Sequence, residues 1–200
     1  MLDLAILGAL VVEALHGYEL SKRLAELFGP GSSVSFGSIY PALSRLERTG
    51  MVKAVTAALS GTMSIPMTGS LAGELAAAAA TSLVREGGSK RKVYGITEDG
   101  ERRFHELAIE VSGAASPQGF SLRLALAHRL ATADRLHIFQ QRRLALVSLQ
   151  DELARVTPTD RYLRSRYQRD LAAAQAESTW IEELIATEIR GETTEDVAPA

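Results

Sequence analysis

Apolar residues recur at helical spacing from the start of the chain, at Leu4, Leu7, Leu10, Val11, Ala14 and Leu15. This spacing predicts a first helix over 4–15, with Asp3 at its cap. His16-Gly17 breaks the pattern. A second helix follows with Leu20, Leu24, Leu27 and Phe28 on one face and Glu19, Lys22, Arg23 and Glu26 on the other, and Gly29-Pro30-Gly31 ends it. A third helix begins between Ser35 and Ser38. Ile39, Leu43 and Leu46 line its apolar side, Pro41 falls near its start, and Gly50 lies just past its end.

The period then changes. Met51–Val55 and Lys92–Ile96 read as short strands, the second rich in residues that favour extended backbone. Thr97 is placed to cap another helix, with Phe104, Leu107, Ala108 and Val111 on its apolar face. Two short strands need helices beneath them, so residues 1–112 form one expected unit: three helices and a hairpin, a winged helix-turn-helix. Between the strands, residues 56–88 are rich in Ala, Gly, Ser and Thr and far exceed an ordinary hairpin connection. They read as a mobile wing tip rather than a short extra helix or longer strands.

Residues 113–121, Gly-Ala-Ala-Ser-Pro-Gln-Gly-Phe-Ser, read as a linker. A helical domain over 122–191 follows, with a short helix over 122–130 and a longer one to Val156 capped by Thr132 or Asp134. A last helix is capped by Thr159 or Asp160 and ended by Gly191. Phe139, Leu146, Leu149, Leu153 and Val156 stripe the first long helix. Tyr167, Leu171, Ala174, Ser178, Ile181 and Ile185 alternate by four and three along the last, a coiled-coil seam. Residues 192–200 read as a frayed tail. The expected class is mainly α, with a winged helix-turn-helix followed by antiparallel, coiled-coil helices that form a dimer. Leu146, Leu149, Leu153, Tyr167, Leu171, Ile181 and Ile185 are the expected dimer residues, because two-fold self-association covers an apolar stripe economically.

Composition narrows the function. The 22 basic and 24 acidic residues leave a net charge of −2, which excludes a sequence-blind nucleic-acid coat. A DNA surface would have to be local, and Lys90-Arg91-Lys92 is the sharpest basic cluster. The chain has no cysteine, no run long enough to span a membrane and no basic region ahead of an apolar one, so a cytoplasmic protein is expected. The histidines are scattered and no phosphate-binding glycine loop or nucleophile elbow occurs. No enzyme, metal or cofactor is expected. Ser35 and Ser38 suit a helix cap or a phosphate. Tyr40 suits either a phosphate or base edge or the gap beside the hairpin. Tyr18 suits a duplex backbone or packing beneath the hairpin. Trp180 suits a core position or the wall of a pocket for a flat aromatic effector.

Taken in order, Leu4-Ala5-Ile6-Leu7-Gly8, His16-Gly17-Tyr18-Glu19-Leu20, the run Gly37 to Glu47, Arg91-Lys92-Val93-Tyr94 and Ile96-Thr97-Glu98-Asp99-Gly100 resemble the PadR family of bacterial transcriptional regulators. The resemblance covers 1–55 and 90–110 and extends loosely through the helical tail, as in the longer members. It implies a homodimeric repressor on pseudo-palindromic double-stranded promoter DNA, dimerised through its C-terminal helices and released by a small aromatic or phenolic molecule. It implies that Ser38, Tyr40 and Arg45 enter the groove, that Arg91 and Lys92 meet phosphates, and that Tyr18 touches the backbone. The long segment 56–88 departs from the family, whose wing is short. The rival expectation is a helical protein-interaction module that uses the winged helix without DNA.

Overall fold

The computed structural model describes residues 1–29, 36–56 and 92–191. The first helix, α1, spans Leu2–Leu10, and Leu4 to Leu10 are all buried. A helix buried on every side carries no amphipathic period to mark its end, and α1 stops earlier than the pattern predicts. Leu15, read as helical, instead opens a two-residue strand β1, Leu15–His16. Asp3 makes no capping bond; its carboxylate pairs with Arg45.

The second helix, α2, spans Gly17–Phe28. The Glu19 carboxylate reaches back to accept from the His16 backbone N–H at 3.1 Å, which ties down one of the donors a helix start leaves unpaired. Gly29 ends it at φ 78°. Helix α3 runs Phe36–Arg48 with Pro41 inside. Gly50 adopts φ 77°. Its N–H donates to Glu47 O and that of Met51 to Leu46 O, the paired bonds of a Schellman end that needs a residue tolerant of positive φ.

Strand β2 is Val52–Thr56 and β3 is Lys92–Ile96. They pair antiparallel, Val52 opposite Ile96 and Ala54 opposite Tyr94. β1 adds to the other side of β3, Leu15 opposite Tyr94, giving sheet order β1-β3-β2. The hairpin is therefore stitched to the α1–α2 corner, an element too short for periodicity to reveal. Helix α4, Glu98–Ile109, starts on the Thr97 cap, whose side chain accepts from Gly100 N at 3.1 Å. The Thr97 hydroxyl also donates to Gly50 O at 2.7 Å. A Cβ on Gly100 would stand 2.1 Å from Met51 O, so only glycine lets α4 approach the α3–β2 corner this closely. Phe104 and Ala108 are buried as expected, but Val111 is half exposed.

Residues 113–121 do not form a linker. They lie in α5, Val111–Ala115, and α6, Pro117–Ala125. The Ser116 side chain accepts from Gly119 N at 3.1 Å, and Pro117 occupies the first helical position, where its missing N–H costs nothing. The breaker-like residues are a helix start. Arg123, 3% exposed, donates to Leu107 O, Ala108 O and Gly119 O, closing the end of α4 against α6. Burial pulls its pKa down, and nearby Glu110 opposes that.

A short 3-10 turn, Ala127–Arg129, leads to the two long helices, α7 (Thr132–Arg155) and α8 (Arg161–Arg190). Ala131 stands at the α7 cap position without a side-chain bond. Asp134 instead faces His105 of α4 at 3.7 Å, and Thr132 accepts from Arg135. Asp160 caps α8 and Gly191 ends it at φ 69°. The two helices pack antiparallel and are tied by Arg135–Glu188 and Arg142–Glu177 ion pairs. The apolar core is continuous from α1 through Phe104, Phe120 and Phe139 to Leu146 and Ile181. No helix among the described residues is long and apolar enough to cross a membrane.

Candidate nucleic-acid interface

Helix α3 is amphipathic with a sharp division. Ile39, Ala42, Leu43 and Leu46 are at most 3% exposed and seat the helix on α1 and β2. Gly37, Ser38, Tyr40, Pro41, Ser44, Arg45 and Arg48 are exposed. At about 100° per residue the buried four centre on one side, and Gly37, Pro41, Ser44 and Arg48 stand diametrically opposite. This outward ridge is the helix surface free to enter a groove.

The expected readers sit on its flanks. Tyr40 is half exposed, and its hydroxyl lies where a Cβ on Gly17 would be only 3.1 Å away. Its ring therefore leans on the start of α2, filling the gap beside the hairpin while keeping one edge outside. Arg45 is held by Asp3 of α1, with both side chains partly exposed. Ser38 is exposed. Tyr18, at the start of α2, is 73% exposed and packs beneath nothing. Lys92 approaches Glu47 of α3 at 3.9 Å and is mostly exposed. Ser35, Lys90 and Arg91, and the segment 57–88, lie outside the described residues, as does the tail 192–200.

Sequence reasoning passed over two members of this surface as readers. Ser44 and Arg48 belong to the outward ridge; the signal was Ala42, whose small side chain widens the apolar face and so turns its opposite toward Ser44 and Arg48. Lys53, exposed on β2 beside the hairpin, adds a cation on a strand read only for its apolar residues. Among the described residues Arg48 and Lys53 form no ion pair, so their charge is uncommitted. Beneath them Tyr94 is buried, and its pKa is pushed above the ordinary tyrosine value by burial first, then by Glu47 and Tyr40. The sheet side of α3 is thus dry while its outer side is polar.

The dimer residues divide as well. Leu146 and Ile181 are at most 1% exposed within one chain; they seal α7 against α8 and present nothing to a partner. The antiparallel return of α8 covers part of the stripe. Leu153, Tyr167, Leu171 and Ile185 are partly covered by the same packing, whereas Leu149 is 40% exposed. Trp180 is 43% exposed, with its ring edge-on to buried Phe120 at 6.4 Å.

Residues 6–61 match the family described as the transcriptional regulator PadR-like family. The likeness to the PadR-like transcriptional regulators is carried by this segment. It spans α1, α2, α3 and β2, the elements that hold the outward ridge. Crystal structures of Bacillus subtilis PadR are similar at low identity. The one in complex with operator DNA is 19% identical, covers 94% of this chain and 98% of its own, and gives a TM-score of 0.38. The one in complex with p-coumaric acid is 18% identical over 94% and 98%, with a TM-score of 0.36. A third PadR structure is 18% identical over 98% and 96%, with a TM-score of 0.35. No curated protein matches the chain.

Proposed function

We propose that this PadR-like regulator is a homodimeric repressor of the cytoplasm that reads a pseudo-palindromic promoter site in double-stranded DNA. Helix α3 enters the major groove, with its two copies about one helical turn apart, roughly 34 Å. Ser38, Ser44 and Arg48 face the bases. Arg45 and Tyr40 hold the helix at its angle, through Asp3 and Gly17, and reach the groove walls. Tyr18 and Ser35 meet the phosphate backbone, and Lys53, Lys90, Arg91 and Lys92 meet it from the wing. A small aromatic or phenolic effector docks against the exposed face of Trp180 and releases the DNA.

The observation that carries this reading is the outward ridge of α3, which keeps Ser44 and Arg48 exposed opposite a fully buried face. A helix that served only as core would not keep Arg48 free, and a protein-docking helix would present large apolar residues where Ser44 and Arg48 stand. A gel-shift with the chain's own upstream region tests it. A shift to a discrete complex at nanomolar to micromolar protein, outcompeted by the same DNA and not by unrelated duplex, is the expected result; equal competition by both duplexes would refute sequence reading. Lys92→Ala should weaken binding to every sequence and lower the salt slope by roughly 0.9 per lost phosphate contact.

A further inference from the structure

The cations around the α3 ridge are not equally free. Arg48 and Lys53 form no ion pair among the described residues, whereas Arg45 and Lys92 each stand against a carboxylate of the chain itself. For Lys92 the approach to Glu47 is loose, at 3.9 Å. For Arg45 it is direct. The partner is Asp3, 42 residues away in sequence and in the first turn of α1.

Asp3 has no other polar work in the fold. It makes no capping bond, and among the described residues its carboxylate meets only the Arg45 guanidinium. The helix dipole already favours an anion in a first turn, so the carboxylate needs no cation to sit there. The contact joins one guanidinium nitrogen, Nη2, to one carboxylate oxygen, Oδ1, and half of the Arg45 side chain stays exposed. The guanidinium therefore keeps further donors. Arg45 can stay on Asp3 beside DNA, or leave Asp3 for a phosphate.

The two outcomes differ in cost. A duplex of any sequence attracts free cations through its phosphates, and each contact releases counterions. Arg45 has first to give up Asp3, and a bare carboxylate is then left beside the phosphates. Base contacts by Ser44 and Arg48 need no such exchange. They need α3 held at its angle, which the same pair does by tying α3 to α1. We propose that Asp3 is a specificity-determining residue: its carboxylate occupies Arg45 in the place of a phosphate, withholds that cation from indiscriminate binding, and clamps α3 so that base contacts are rewarded. This role rests on the DNA-reading surface proposed above and adds to it a residue of α1, a helix otherwise buried from Leu4 to Leu10.

Asp3→Asn tests it, since the shape of the side chain is kept and its charge removed. Two labelled duplexes, the upstream region and an unrelated sequence of equal length, are titrated by fluorescence anisotropy across a range of salt, and circular dichroism checks that helix content is unchanged. Affinity for the unrelated duplex should rise roughly two- to fivefold, the worth of an exposed ion pair. The salt slope should steepen by roughly 0.9, one phosphate contact. Affinity for the upstream duplex should rise less, so discrimination falls. Asp3→Glu, which keeps the charge, should retain the wild-type slope. In an Arg45→Gln background Asp3→Asn should change neither the slope nor the unrelated affinity, because the cation it frees is gone. A gain of the same size there would mean that the carboxylate only repels DNA at a distance, and would overturn the proposal. Wild-type slope and discrimination in Asp3→Asn would overturn it as well. A wild type that binds both duplexes alike would instead overturn the DNA-reading surface itself.

Discussion

Arg48 and Arg45 are three residues apart, yet they have different work. Arg45 spends its charge on Asp3, so its loss should be felt first in how α3 is held on α1. Arg48 has no such tie. Arg48→Ala should weaken binding to the cognate site by about 1–3 kcal/mol, the worth of a good base contact. Thermal stability should hold within about 0.5 kcal/mol, as for an exposed position without special contacts. Competition binding against single-base variants of the site measures this; an unchanged affinity would remove Arg48 from the reading surface. Tyr94, beneath the same helix, gives a test of the core. Its neutral form is favoured in the folded state, so its contribution is fully present below the unfolded value near 10 and is lost as pH rises through the raised folded value. Stability of the wild type should therefore fall more steeply above pH 10 than that of Tyr94→Phe. Parallel curves from alkaline denaturation would contradict the buried placement of that hydroxyl.

At the scale of elements, the joint between the winged helix and the long helices is a packed corner. Arg123 bonds three carbonyls from the end of α4 and the start of α6, and Arg142 adds Ala115 O at the end of α5. Arg123→Met keeps the stem but takes the side-chain donors away from the Leu107 and Ala108 carbonyls. It should cost about 3 kcal/mol or more, read as a lower denaturant midpoint. A cost under about 1 kcal/mol would mean that the corner is not held this way. This corner was also the least legible part of the sequence. Gly113, Ser116, Pro117 and Gly119 are residues that break helices, and only their positions make them a cap, a first-turn proline and close-contact glycines. By contrast α2, α3 and α8 were legible because each buries one face and solvates the other. Helix α1 was legible in kind but not in extent, since a helix buried all round gives no period to show where it stops. β1 is two residues long and exists only because β3 is beside it.

The candidate site was half legible for the same reason. The winged-helix order and the sequence of the third helix picked out the element that matters. They could not tell the ridge from its flanks, because Tyr40 and Arg45 look as free in sequence as Ser44 and Arg48, and only Gly17 and Asp3, which lie far off along the chain, engage them. The dimer stripe divides likewise: one chain's antiparallel return seals Leu146 and Ile181 and leaves Leu149 exposed.

At the scale of the whole molecule, a continuous core joins the helices that hold the α3 ridge to α7 and α8. In the proposed dimer that core fixes the distance between two α3 ridges, so the pair should bind two half-sites as one unit. The most direct measurement is fluorescence anisotropy of a labelled duplex from the upstream region, titrated with wild type and with a Ser44→Ala, Arg48→Ala double variant across a range of salt. The expected result is two chains per duplex and an affinity that falls steeply with salt. Discrimination against unrelated DNA should collapse in the double variant while the salt slope changes by no more than the one cation removed. Equal discrimination by the wild type and the double variant would contradict the claim that the outward ridge of α3 reads the DNA.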